Sequence, residues 1–232
     1  MDFERLSRLA PVQARFGPTL PEVLVPRIDR LPAIARRVGA VALVIAAVVI
    51  VAVVLRSRDP VYHSPPGPAT LRFSTSYPRT LKRVTPPPGS LLLLQQRDAS
   101  GHLIASFEIT PIRLPSYSGE ISGLWPVYVW NYVQHLRSTL GAGVLEQSDG
   151  RTRIINTPAY TFSYSSTIGG RTYFGRVVFI TRDLTGDRQG LALSMLITKT
   201  AMHAATHPIA PTPDQVGTVG VLFEPLERLR FG

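Results

Sequence analysis

Eighteen consecutive residues, Val38 to Leu55, carry no charged or strongly polar side chain, and nothing else in the chain restricts its folding so severely. A helix over them would be about 27 Å long at ~1.5 Å per residue, close to the ~30 Å hydrocarbon core of a bilayer. Helical hydrogen bonds stay inside the segment, which lets a backbone cross a solvent that offers none. A helix of a soluble core keeps a polar stripe, and this run has none on any side. Arg36 and Arg37 precede it and Arg56 and Arg58 follow it, placed to reach the interface from both ends. Thirty-seven residues stand before the run and no small-x-small site follows it, so an uncleaved signal anchor is expected rather than a removed leader. The twenty residues before it hold four arginines and the twenty after it three. That bias, with a short tail ahead of a large remainder, predicts a cytoplasmic N-terminus and a C-terminal domain outside the cell membrane.

The rest of the chain divides around that run. Residues 1–37 contain five prolines and seven arginines against four acids, a basic tail too proline-rich for a long helix. Phe3, Leu6, Leu9 and Ala10 would share one helical face. A short helix lying on anionic lipid is one reading, and an unstructured tail held by charge is the other. Residues 56–69 hold Pro60, Pro65, Pro66 and Pro68 and read as a semi-rigid spacer. Residues 70–232 are expected to form an α+β domain, an antiparallel sheet with helices packed on its faces. The zero cysteine count excludes a disulfide scaffold, a thiolate metal site and a cysteine nucleophile.

Within that domain, Leu91–Leu94 and the alternating set Leu103, Ala105, Phe107 and Ile109 flank the turn Asp98–Gly101, which is a hairpin signal. Tyr160, Phe162 and Tyr164 alternate with Thr161, Ser163 and Ser165. Gly169-Gly170 turns the chain into a strand over Thr172–Arg182. The turn Asp183–Gln189 then leads to Leu191, Leu193, Met195 and Ile197, completing a meander. Trp125, Tyr128, Val129, Tyr132, Val133, Leu136 and Leu140 follow the i, i+3, i+4, i+7 rhythm of one amphipathic helix, with Pro126 in its first turn. Thr212-Pro-Asp-Gln215 has the form of a capping box that opens a last helix, with Val216, Val219, Phe223 and Leu226 inward and Pro225 set to kink or end it.

The opening Phe73-Ser-Thr-Ser-Tyr-Pro78, the hairpin, the long helix, the Thr157-Pro-Ala-Tyr-x-Phe-x-Tyr164 strand and the closing Leu226-Glu-Arg-Leu-Arg-Phe231 together resemble the Mog1/PsbP-like family. The resemblance spans about residues 70–231 and implies an antiparallel sheet with helices on both faces. Its members serve unrelated roles, so it implies no one activity and transfers no functional residue.

Chemistry-bearing motifs are scarce. There is no phosphate-cradling loop, and Gly141-Ala-Gly143 reads as a turn after the long helix. No serine sits in a Gly-x-Ser-x-Gly elbow. Glu108 falls on the outward side of its strand, where a carboxylate is ordinarily just solvated. His203 and His207 are four apart without a third ligand nearby, so no metal site is expected. The chain carries 25 basic and 15 acidic residues, and residues 57–232 alone hold 17 and 11. Arg79, Lys82 and Arg83 cluster near the spacer, and Arg151 and Arg153 fall in a turn. A surface drawn to phosphate-bearing lipid or wall polymers and a merely solvated basic composition both fit that surplus, and no reader motif points to nucleic acid. Tyr117, Trp125 and Trp130 flank the Pro/Ser/Gly-rich stretch Leu114–Gly123, with Trp130 off the apolar stripe, and are the candidate partner-binding residues.

These readings predict a single-pass membrane protein whose outer domain binds or scaffolds without catalysis and needs no cofactor. Its partners would be the bilayer and another membrane or cell-surface protein. The alternatives are an extracytoplasmic hydrolase or ligand-sensing domain with a cleft near residues 114–130, or a basic tail that recruits a cytosolic partner.

Overall fold

The computed structural model describes residues 43–50, 59–67, 71–116, 118, 121–140, 143–181 and 188–232. Arg36, Arg37, Arg56, Arg58 and Tyr117 lie outside these, as do the tail, both ends of the apolar run and most of the turn Asp183–Gln189. Residues 43–50, inside the apolar run, are helical with every side chain exposed. Among the described residues no helix is long and apolar enough to cross a membrane. Contacts divide the chain after Arg58 into two units.

The second unit is α+β. Its strands are β1 (Val61–His63), β2 (Phe73–Ser76), β3 (Lys82–Val84), β4 (Leu92–Arg97), β5 (Leu103–Arg113), β6 (Leu145–Ile154), β7 (Thr157–Ile168), β8 (Arg171–Thr181), β9 (Gln189–Thr198) and β10 (Arg230–Phe231). Its α-helices are α1 (Ile121–Leu140), α2 (Lys199–Thr206) and α3 (Phe223–Glu227). Seven strands form one antiparallel sheet in the order β3-β4-β5-β9-β8-β7-β6, and β1-β2-β10 form a second, smaller one. The expected hairpin is β4–β5 and the expected meander is β7–β8–β9.

Helix α1 carries the chain from β5 over β9, β8 and β7 to the far edge of the sheet, where β6 begins. That path sets which residues it buries. Trp125, Val129 and Val133 pack with Tyr160, Phe162, Tyr164, Val177, Phe179 and Ala192 on one sheet face. The other face packs Phe107, Ile109, Val178, Ile180, Leu193 and Met195 against α2, α3 and the small sheet. With both faces covered, consecutive residues of β8 from Val177 to Ile180 are all buried.

Several local expectations are corrected. Val61–His63, inside the expected spacer, is a proline-free triplet that pairs with β2, and β2 also pairs with β10. The opening and closing motifs are therefore neighbours in one sheet. Helix α1 begins four residues earlier than Trp125, which moves Pro126 beyond the first turn to an exposed position within the helix. Arg151 and Arg153 lie in strand β6 rather than a turn. The turn is Ile155-Asn156, both at positive φ, 47° and 65°. The final stretch is not one helix. A 3₁₀ turn at Pro213–Gln215 is followed by Gly217 and Gly220 at φ 80° and 71°, which stop it, and α3 starts at Phe223. Pro225 thus falls in the first turn of α3, where it is tolerated. Thr212 N–H does donate to Gln215 Oε1 at 2.9 Å, as a capping box requires.

Candidate functional site

Helix α1 has two faces of opposite character. At ~100° per residue, Trp125 and Trp130 cannot share a side. Trp125 is 6% exposed and stacks on Tyr160 and Phe179 at centroid distances of 6.0 and 5.9 Å. Tyr132 meets Phe179 edge-on at 5.1 Å and Phe162 at 5.8 Å. Burial raises the phenols of Tyr132 and Tyr164. Tyr160 is pushed up to about 12 by burial and by the bond it donates to Asp149 Oδ2 at 2.6 Å. The stack fixes α1 on the sheet. Trp125 is therefore core, while Trp130 is 62% exposed and Val127, one turn earlier, 58%.

The outward side of α1 is Gly123, Pro126, Val127, Trp130, Asn131, His135, Ser138 and Thr139, without a carboxylate, lysine or arginine. Arg137, half-buried, is the one such side chain in the twenty residues. A solvated helix face is ordinarily charged, and interface centres are depleted of charge and enriched in tryptophan. Sequence reasoning found Trp130 but missed Val127 and Pro126, although their i, i+3 and i+4 spacing to Trp130 already placed them on the same side.

Elsewhere the polar groups serve packing. Ser163 and Arg176 face each other across β7 and β8, beneath the 213–215 turn. Ser163 Oγ donates to Asp214 Oδ1 at 2.5 Å and lies 2.9 Å from Ser148 Oγ, which also donates to Asp214. Arg176 donates to Thr161 Oγ1 at 3.1 Å and to the Val216 carbonyl at 3.3 Å, and burial lowers its guanidinium. This network clamps the turn onto the sheet. Glu108 is half-buried and accepts from Ser90, so it is held rather than simply solvated. A cavity of about 790 Å³ lies between Asp98, Ile104, Arg171, Lys199 and His203, with Arg171 Nη1 3.3 Å from Asp98 Oδ2. The rings of His203 and His207 stand 5.9 Å apart, and no group of three metal-ligating side chains occurs among the described residues.

No protein-family model and no curated protein matches the sequence. Three solved structures are similar to this one. The yeast Ran-binding protein Mog1p is 10% identical over 75% of this chain and 96% of its own, with a TM-score of 0.45. The cyanobacterial PsbP of Synechocystis is 10% identical over 75% of this chain and 94% of its own, with a TM-score of 0.47. A protein of Bacteroides thetaiotaomicron is 14% identical over 73% of this chain, with a TM-score of 0.40, and this chain spans 48% of its length. Both namesakes of the family that the sequence resembles are thus among the similar structures.

Proposed function

We propose that the chain is a single-pass membrane protein, N-terminus in the cytoplasm, whose outer domain binds a second membrane or cell-surface protein without catalysis. The binding surface is the uncharged outer side of α1, with Trp130 as its anchor and Val127 beside it. The carrying observation is that a twenty-residue helix, locked on one side by aromatic stacking, exposes a tryptophan and no fixed charge on the other. A rigid aromatic on a rigid helix loses little entropy on binding, which is what a hot spot needs. An uncharged face suits a protein partner better than anionic lipid or nucleic acid. The apolar run 38–55 supports the anchor, and its described part is helical with apolar side chains outward, the arrangement that lipid stabilises.

The test uses the full chain in its own membranes. A photoreactive phenylalanine at Val127 is expected to crosslink one discrete protein that the same group at His102 does not, and Trp130→Ala is expected to remove that product. Identical products from both positions would sink the binding surface. Release of the chain by alkaline carbonate would sink the anchor.

A further inference from the structure

Three basic side chains surround the point where the chain joins its outer domain. Tyr77 N–H donates to the carbonyl of Pro60 at 3.1 Å, tying the first residues of the domain to the segment that follows β2. Leu81 N–H donates to the carbonyl of Pro78 at 2.9 Å, closing a turn that carries Arg79, and β3 then opens with Lys82-Arg83. All three cations are exposed, while Tyr77 and Leu81 beneath them are buried. Among the described residues, Pro60, Tyr77, Arg79, Leu81, Lys82 and Arg83 line a cavity of about 320 Å³. The Arg83 guanidinium sits 4.9 Å over the ring of Tyr62, which fixes its direction. Asp59, next to Pro60, is half-buried and is not among the residues that line the cavity.

We propose that this basic pocket docks on the phosphodiester headgroups of anionic phospholipid, and the proposal rests on the reading of residues 38–55 as a membrane anchor. Pro60 follows Leu55 by five residues, which reach at most about 18 Å even when fully extended at ~3.6 Å each. Headgroups occupy about 5–8 Å of that distance on each side of the hydrocarbon core. The strand at Val61–His63 removes the long spacer that the prolines suggested. A pocket tethered by so short a length of chain can reach the surface potential of the bilayer, and the positive charge of Lys82 and Arg83 beside Arg79 has the sign that an anionic headgroup complements. Docking would set the orientation of the domain, and with it the direction in which α1 presents Trp130.

The experiment reconstitutes the full chain into nanodiscs of phosphatidylcholine and into discs of equimolar phosphatidylcholine and phosphatidylglycerol, and follows amide hydrogen exchange over residues 77–84. Exchange is expected to be slower in the anionic discs, and the protection to fall about fivefold for each of Arg79→Gln, Lys82→Gln and Arg83→Gln. Lys199→Gln, which removes a cation from the other cavity, is expected to leave it unchanged. The comparison of the two lipids needs no substitution, so it stands whatever a variant does to folding. Equal exchange in both discs overturns the docking while leaving the anchor intact. Equal protection by inorganic phosphate in neutral discs overturns the lipid as its source. A chain that enters neither disc overturns the anchor itself.

Discussion

The ring of Tyr164 lies directly over Gly175 of the neighbouring strand, so that a β-carbon on residue 175 would stand 2.1 Å from Tyr164 Cζ. The ring has no free direction of escape, because it stacks on Phe162 at 5.7 Å and is buried. Replacing a strand glycine by alanine ordinarily gains about 0.5–1 kcal/mol of backbone entropy. Here the overlap wins. Gly175→Ala is expected to destabilise the domain by about 1–3 kcal/mol in chemical denaturation, and a neutral or stabilising result would show that the aromatic layer can shift.

The two tryptophans of α1 should separate stability from binding. Trp125→Ala opens a cavity among Tyr160 and Phe179 and is expected to cost about 3–5 kcal/mol. Trp130→Ala should change stability by no more than about 0.5 kcal/mol, as exposed substitutions do. Thermal melts of both variants decide this, and a large loss from Trp130→Ala would make that residue structural.

Asp214 predicts an acid limb. Burial alone would raise its carboxyl, but the hydroxyls of Ser148 and Ser163 and the guanidinium of Arg176 outweigh burial and hold it below the ordinary carboxylate range. A folded value below the unfolded ~3.9 contributes stability that is fully present above about pH 4 and lost as the pH falls through the folded value. Asp214→Asn should therefore lower stability at neutral pH by about 0.5–1 kcal/mol, because solvent screens the exposed carboxylate, and flatten its decline below about pH 4. Parallel acid limbs in the two proteins would contradict the clamp.

Ile155 is a β-branched residue at φ 47°, in a two-residue turn that favours asparagine or glycine. It is 39% exposed, so replacement gives up part of its burial, a smaller loss than the left-handed strain that is relieved. Ile155→Gly or Ile155→Asn is expected to stabilise the domain by about 1 kcal/mol, read as a higher denaturation midpoint at unchanged slope.

The hairpin β4–β5, the meander β7–β9 and the stripe of α1 were legible because each repeats a period that burial on one face imposes within a few residues. Strand β6 was not, because at the sheet edge most of its side chains face solvent and Glu146, Asp149, Arg151 and Arg153 mask any alternation. The broken final helix was misread because Val216, Val219, Phe223 and Leu226 keep helical spacing across Gly217 and Gly220, whose left-handed backbone follows from packing. At Gly217, a β-carbon would stand 2.5 Å from Met195 Sδ.

The sequence by itself determined the local terms: the apolar run and its flanking arginines, the alternation of the central strands, the amphipathic stripe of α1 and the outward place of Trp130. Only the tertiary structure decided that Trp125 is core, that Val61–His63 joins the domain through β2, that Ser163 and Arg176 meet Asp214, and that Arg79, Lys82 and Arg83 surround Pro60. Those relations join residues far apart in the chain or on different strands. Periodicity reports which way a side chain points, and only chain closure decides what it meets there.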